Sequence, residues 1–143
     1  MLRRGAPLTD DQLAGIEPGE VVAVRIAGVW HEGIADRDRD ELGRPWIWNK
    51  SKRTGRVERE SWETFAGRDV HGRRLSTIRV GYLGNLPPDE VIARARARVG
   101  EEWTPIANCQ RFTRACHGVP ATSPEIDAIG VALLLSMLGG PLP

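Results

Sequence analysis

The chain has 143 residues, enough for a single domain that buries a hydrophobic core without disulfides or a structural metal. With 41% hydrophobic residues, 27% charged residues and a formal net charge of +1, it is typical of a globular protein and gives no reason to expect nucleic acid as a partner. Two cysteines cannot form a multi-bridge framework, and the start MLRRGAPLTDDQLAG lacks the apolar centre of a signal peptide, so we expect reduced thiols and a cytoplasmic location.

The first half of the chain carries strand-like segments. PGEVVAVRIAGVWHEGIAD contains two β-branched, partly alternating runs at 21–27 and 29–35, with Gly28 as the expected bend between them. Shorter strands are predicted in RPWIWNKS, RVERES and STIRVGYL. Ser61 is placed to cap a short helical turn in WETFAG.

The second half changes to helical spacing. LPPDE is a helix-start signal, and apolar residues then recur every three or four positions until Gly100. A second helix is predicted to begin with Asn108 as its N-cap and to end near Gly118. Strands followed by helices predict an α+β fold, with the sheet packed against the C-terminal helices. No linker or repeat divides the chain, so we expect one domain over 1–143.

A third helix, apolar in character, is predicted over about 123–138. Its apolar run is shorter than the roughly 20 residues needed to cross a bilayer and is interrupted by polar residues. Packing against the rest of the domain is the simplest interpretation. A peripheral contact with a membrane surface or a partner stays open.

Cys109 and His31 are the candidates for chemistry. Cys109 follows Asn108 in the first turn of a predicted helix, where the positive end of the helix favours a thiolate. His31 lies inside an apolar strand-like run, where an imidazole needs a partner. A strand histidine facing a helix-start cysteine is a base and nucleophile pair, and Asn49, at the end of WIWN, could orient the imidazole. An inert, buried Cys109 is the alternative.

The remaining thiol and imidazoles are weaker candidates. Cys116 lies near the helix end and lacks the field of a helix start. His71, in a polar turn, and His117, beside a helix-ending glycine, are expected to be exposed or capping residues. The cysteines and histidines do not have the spacing of a zinc site, so neither a metal nor a cofactor is expected.

Two charged clusters invite other interpretations. Asp36, Asp38 and Asp40 alternate as in a calcium loop, but the glycine and glutamate that such a loop requires are missing, so we expect a solvated charged turn. A basic cluster lies further along the chain and is expected to form a solvated hairpin, with a phosphate site as the alternative. Its members are Lys50, Lys52, Arg53 and Arg56.

Four motifs in order resemble those of lecithin:retinol acyltransferase-like proteins. WHEGIAD resembles their histidine strand, and NCQRF resembles their NCEHF nucleophile motif. RTGRVERESWETFAG and DEVIARARARVGEEW resemble the segments that lie between those two motifs in the family. The resemblance covers about residues 18–120.

This resemblance implies a circularly permuted papain-like fold, shared with the NlpC/P60 group, in which the histidine strand precedes the cysteine helix. It implies that Cys109 is the nucleophile, that His31 is the general base, and that acyl transfer proceeds through a thioester without a cofactor. A lipid acyl donor is modestly preferred because the family is lipid-directed. Trp30 and Trp48 flank the site residues and are candidate substrate contacts, although strand tryptophans mainly fill cores.

The sequence also departs from the family pattern. Members related to the retinol enzyme commonly carry a second histidine on the next strand, whereas this chain has WIWN there, so that Trp48 or Asn49 takes its place. Asn49 is the candidate third residue. Gln110 and Arg111 replace the acidic and histidine residues that follow the cysteine. Three functions stay open: a lipid acyl hydrolase or acyltransferase, an NlpC/P60-type peptidase or amidase, and a binding module that keeps the fold without catalysis.

Overall fold

The structure, a computed structural model, describes residues 6–51, 53–102 and 108–120. Its elements in chain order are α1 (Asp10–Ala14), β1 (Val21–Ile26), β2 (Val29–Arg39), β3 (Pro45–Lys50), β4 (Val57–Glu60), α2 (Trp62–Ala66), β5 (Thr77–Gly81), α3 (Pro88–Ala97) and α4 (Cys109–His117). The strands form one antiparallel sheet in the order β4-β3-β2-β1-β5. The predicted α+β class is therefore confirmed.

The helix boundaries follow local signals in the sequence. Ser61 Oγ accepts from the backbone N–H of Thr64 at 3.2 Å and caps α2. Asn108 Oδ1 accepts from the backbone N–H of Arg111 at 3.0 Å and caps α4. At the other end of α4, Gly118 has a φ of 69°, the left-handed conformation that glycine adopts without strain. These caps confirm the predicted start and end of the helix that carries Cys109.

Hydrophobic clusters cover both faces of the sheet. The first cluster, on what we call the α4 face, contains Val21, Ile34, Trp48, Val57, Val91, Ile92, Ala95, Phe112 and Cys116. The second, on what we call the α2 face, contains Leu13, Ile16, Val22, Val24, Ala35, Ile47, Trp62 and Phe65. Neighbouring residues of one strand point to opposite faces, so strand position alone assigns each site residue to one of them.

Gly33 lets α2 approach the sheet closely. A Cβ added to Gly33 would lie 2.4 Å from Ile47 Cγ2 and 3.0 Å from Phe65 Cε2, closer than packed carbon atoms tolerate. The absence of a side chain therefore allows Phe65 to rest on β2. Gly33 is two positions from His31 on the same face, so this contact brings α2 over the candidate imidazole.

The acidic segment 36–39 belongs to β2, so the predicted solvated turn is wrong there. Asp36 is buried and accepts from Arg59 Nη1 at 2.8 Å, and Asp38 accepts from the same nitrogen at 2.7 Å. Asp40 pairs with Arg44 at 2.7 Å and closes the tight turn that follows. These carboxylates therefore pair with arginines, Asp36 and Asp38 with Arg59 on the sheet and Asp40 with Arg44 in the turn.

Lys50 also departs from its prediction as part of a solvated hairpin. It is 1% exposed, and its Nζ lies 2.8 Å from Glu101 Oε1. Burial alone raises the pKa of Glu101, but the hydrogen bond and charge of Lys50, with the charge of Arg98, outweigh it and lower that pKa. Pairing with the segment after α3 is what allows this ammonium group to be buried.

None of the helices within 6–51, 53–102 and 108–120 has the length and apolar character needed to cross a bilayer. The apolar helix predicted over 123–138, with its possible membrane contact, lies outside the described residues.

His117 is buried, so the prediction that it is exposed or capping is wrong. It is 1% exposed, its Nε2 lies 2.7 Å from the carbonyl oxygen of Gly19, and its ring packs edge-on against Tyr82 at 4.6 Å between centroids. Since the carbonyl only accepts, Nε2 donates. Burial lowers the pKa of His117, and the nearby Arg114 charge lowers it further, against the raising effect of the Gly19 hydrogen bond.

We expect this histidine to make stability depend on pH. Its pKa is lower in the folded state than the unfolded value of about 6.5, so the unfolded state binds more protons as pH falls. The stability that depends on His117 being neutral should be fully present above about pH 6.5. Below that pH the free energy of unfolding should decrease, by at most about 1.4 kcal/mol per pH unit. Urea unfolding between pH 5 and 8 measures this. His117→Gln should flatten the slope, whereas His71→Ala, at an exposed histidine, should not. An unchanged slope in His117→Gln would contradict the assignment.

Candidate active site

His31 and Asn49 meet across the separation between β2 and β3. His31 is 3% exposed on the α2 face, opposite Val24 of β1, and its ring centroid lies 5.6 Å from that of Phe65. Its Nε2 lies 2.9 Å from Asn49 Oδ1. The structure therefore brings together the two residues that the sequence suggested as a base and its orienting partner.

A third side chain decides which way the Asn49 amide points. Asn49 is 1% exposed, and its Nδ2 donates to Glu60 Oε1 at 3.0 Å. An ionised carboxylate only accepts, so the amide nitrogen faces Glu60 and the amide oxygen faces His31. That oxygen also only accepts, so His31 carries its proton on Nε2. In the neutral imidazole the lone pair is then on Nδ1.

The hydrogen bond between His31 and Asn49 lies just beyond the residues at which β2 and β3 are paired. The last pair of facing residues toward this end of the ladder is Ile34 with Trp48. Beyond it, β2 continues to pair with β1 as far as Val29, while β3 continues to pair with β4 as far as Lys50. The side chains of His31 and Asn49 link the two strands where their backbones no longer pair with each other.

Cys109 is the first residue of α4 and is 7% exposed. The next turn of the helix is tied to β2 beside His31. Thr113 Oγ1 donates to Glu32 Oε1 at 2.7 Å, and Arg114 Nη1 donates to the same oxygen. Glu32 is itself buried. The sulfur at this position lies at the positive end of a nine-residue helix.

The imidazole of His31 and the helix of Cys109 belong to opposite faces of the sheet. His31 lies on the α2 face with Phe65, whereas Thr113 contacts Glu32, the next residue along β2, on the α4 face. A cavity of about 230 Å³ lies on the His31 side. Its lining includes His31, Asn49 and Glu60 and the apolar Ile26, Phe65 and Leu75; Cys109 is not among the described residues that line it.

Cys116 is unsuited to nucleophilic chemistry at neutral pH. Its side chain is 0% exposed within the core on the α4 face, and neither cysteine forms a disulfide. Burial raises the pKa of the Cys116 thiol to about 12. This agrees with the expectation that Cys116 is the weaker candidate and makes it an internal control for Cys109.

The two tryptophans beside the site residues lie in different surroundings. Trp30 is half-buried, with the Arg25 guanidinium 5.6 Å from its ring centroid. Trp48 is 6% exposed and belongs to the core cluster with Ile34 and Phe112. It points away from Asn49, to the other face of the sheet, so its packing supports the core-filling alternative. Substrate contact by Trp30 and Trp48 stays a prediction.

Sequence analysis did not identify Glu32 or Glu60. Glu60 is the fifth residue of the segment RVERES, whose charges are typical of an exposed edge strand, and Glu32 lies inside the histidine motif itself. The one available signal is strand alternation, which would place Glu32 and His31 on opposite faces. The partner of Glu32 comes from the distant helix α4, and Glu60 reaches Asn49 on the neighbouring strand β3, so both contacts depend on how the elements pack or pair.

Comparisons with known proteins add no family. No protein-family model matches the sequence, and no curated protein matches it. No group of three or more histidine, cysteine, aspartate or glutamate side chains in the described parts of the chain could hold a metal ion. A function for this chain therefore has to be inferred from the side chains of the candidate site.

Proposed function

We propose that this chain is a cysteine-dependent acyl hydrolase or acyltransferase that works through a thioester on Cys109. The observation that carries the proposal is the 2.9 Å hydrogen bond between His31 Nε2 and Asn49 Oδ1. A buried imidazole with one nitrogen fixed by an amide oxygen is oriented to act as a base through the other nitrogen. Cys109, at a capped helix start, supplies a sulfur suited to nucleophilic attack.

The same proposal includes a circularly permuted papain-like fold of the lecithin:retinol acyltransferase-like type. Three features support it: an antiparallel sheet, a histidine strand that precedes the cysteine helix in sequence, and an asparagine on the strand next to that of the histidine. The motifs WHEGIAD and NCQRF lie on β2 and at the start of α4, where such a fold requires them.

We propose that Cys109 approaches Nδ1 of His31 where β2 and β3 are no longer paired. His31 projects to the α2 face of the sheet, whereas α4 packs on the opposite face. The sulfur of Cys109 and the imidazole of His31 therefore meet only at the end of the sheet where β2 and β3 are no longer paired. The Ile34–Trp48 pair is the last one on that side. The Thr113–Glu32 hydrogen bond supports this route because it holds the helix of Cys109 against the residue next to His31.

In the proposed reaction, the Cys109 thiol transfers its proton to His31 Nδ1 and the sulfur attacks the acyl carbonyl carbon. The tetrahedral intermediate places its negative oxygen near the backbone N–H of Cys109 at the helix start. When the intermediate collapses, the bond to the leaving group breaks, and that group takes the proton from the His31 imidazolium. Water or another acceptor then attacks the thioester, giving its proton to His31, and the thiolate leaves.

A lipid acyl donor remains the modestly preferred substrate. The cavity on the His31 side has apolar walls formed by Ile26, Phe65 and Leu75. Its lining also contains polar and charged residues, which are His31, Asn49, Ser51, Arg53, Glu60, Thr64 and Arg68. The apolar walls suit an acyl chain, and the polar groups beside them suit its ester or amide group.

A non-catalytic binding module is the second candidate. It is favoured by the position of Cys109, which is not among the described residues lining the cavity beside His31, and by the placement of His31 and α4 on opposite faces. In that case the fold would be kept for binding, and Cys109 would be a small apolar residue under α4.

Alkylation with iodoacetamide, followed by mass spectrometry of the modified peptides, separates the two candidates. For the enzyme we expect Cys109 to react near pH 7 at least about tenfold faster than Cys116, because Cys109 has a helix start and an imidazole to favour the thiolate whereas burial raises the pKa of Cys116. His31→Ala should slow the labelling of Cys109, whereas His71→Ala, the matched exposed control, should leave it unchanged. Equal, slow labelling of both cysteines would favour the binding module.

A further inference from the structure

We infer that Glu60 is a positioning residue that fixes the protonation pattern of His31 through Asn49. The inference rests on the proposed function, since it describes how the imidazole is held ready to accept the Cys109 proton. It concerns a carboxylate that is linked to the imidazole through the amide of Asn49, which lies between the two.

The pairing of β3 with β4 places Glu60 diagonally across from Asn49. The residue facing Asn49 in the ladder is Glu58, whereas the residue facing Glu60 is Ile47. Glu60 therefore reaches Asn49 diagonally, from a side chain that is 5% exposed. Its second oxygen lies 3.4 Å from Arg53 Nη2, which is largely exposed and also pairs with Glu58.

The physical problem that Glu60 solves is the near symmetry of the asparagine amide. Oxygen and nitrogen ends are similar in size, so a half-turn of the amide would present Nδ2 to His31 in place of Oδ1. An N–H donor there would require an acceptor at His31 Nε2, which places the imidazole proton on Nδ1. A ring protonated at Nδ1 cannot take a proton from a thiol through that nitrogen.

The carboxylate of Glu60 makes the two amide orientations unequal. In the observed one, Asn49 Nδ2 donates a charge-assisted hydrogen bond to Glu60. In the reversed one, the amide oxygen would face the carboxylate oxygen and two acceptors would repel each other in a buried setting. The negative charge two hydrogen bonds away from the ring also favours the imidazolium that forms when His31 accepts a proton.

Nuclear magnetic resonance of ¹⁵N-labelled histidine tests the inference without reference to activity. In the wild type, the ring nitrogen shifts of neutral His31 should report a proton on Nε2. In Glu60→Leu, which keeps the approximate size but removes the acceptor, a substantial fraction of the Nδ1–H tautomer should appear. Glu60→Gln, whose amide suits either orientation of Asn49, should give a smaller fraction. Glu58→Gln is the matched control on the same strand and face and should match the wild type.

The rate of Cys109 alkylation by iodoacetamide near pH 7 gives the second readout. We expect it to fall about tenfold in Glu60→Leu and less in Glu60→Gln, with no change in Glu58→Gln. If Glu60→Leu folds and its spectrum shows only the Nε2–H tautomer of His31, the inference is overturned. If Glu60→Leu does not fold, the same spectrum in Glu60→Gln overturns it. If the tautomer shifts as expected but wild-type Cys109 labels no faster than Cys116, the positioning by Glu60 holds and the proposed function fails.

Discussion

Cys109→Ser is expected to lower the hydrolysis of activated esters and thioesters by about a thousandfold or more. Serine keeps the size of the side chain and a hydroxyl that could still bond to His31. It has a far higher pKa than a thiol, however, so the same base and helix start cannot generate a comparable nucleophile. The loss should appear in the turnover rate, because the nucleophile acts in the transition state and contributes little to ground-state binding.

The measurement is a pre-steady-state assay with a thioester or activated ester of varied chain length, together with mass spectrometry of the intact protein. Wild type should accumulate a covalent acyl adduct on Cys109 when deacylation is slow, and Cys109→Ser should not. Cys116→Ala is the control. Removing a fully buried sulfur from the core should cost roughly 1–2 kcal/mol of stability but leave turnover within about twofold. Full activity in Cys109→Ser would exclude the thioester mechanism.

Local signals in the sequence were sufficient to locate the helix starts and the strands around the site. Asn108 caps α4, Gly118 ends it, and Ser61 caps α2, as their chemistry predicts. The sequence prediction lacks α1, although its capping box between Thr9 and Gln12 is a signal of the same kind. Helix caps can be predicted from the sequence because the capping side chain and the backbone group that it bonds lie within four residues of each other.

The contact between His31 and Asn49 was predicted from chemistry more than from geometry. An imidazole in an apolar strand requires a polar partner, and Asn49 was the polar residue at the end of the next strand. The register of the two strands decides whether those residues meet, and register is a property of the whole sheet. The same limit explains why Glu60 was not identified, since it reaches Asn49 through the β3–β4 register.

Burial of charged and polar groups was the feature that local patterns predicted least well. Lys50 is predicted to lie in a solvated hairpin and His117 to be exposed or capping, yet each is 1% exposed. Lys50 is matched by Glu101, which follows α3, and His117 by a carbonyl at Gly19, before β1. Composition and spacing describe one segment at a time, whereas a buried polar group is stabilised by a partner that the fold brings from another segment.

Glu32→Ala is expected to lower the free energy of unfolding by about 3–5 kcal/mol. The carboxylate of Glu32 accepts from Thr113 and from Arg114, and its side chain is 7% exposed. Alanine would leave the Arg114 charge, which is 21% exposed, without its partner beside the sheet, and would leave a small void. Urea denaturation at pH 7 measures the change. Glu41→Ala, at an exposed glutamate in the turn after β2, should cost less than about 0.5 kcal/mol.

Two further variants separate the charge from the hydrogen bond. Thr113→Val removes only the hydroxyl that bonds to Glu32 and should cost about 1 kcal/mol. In the double variant Glu32→Ala with Arg114→Ala, the loss should be smaller than the sum of the single losses, because no uncompensated charge remains. A Glu32→Ala loss no larger than that of Glu41→Ala would show that the ion pair does not hold α4 to β2. Because Cys109 begins that helix, a folded but weakened Glu32→Ala should also label more slowly at Cys109, which connects the stability of this contact to the chemistry proposed for the site.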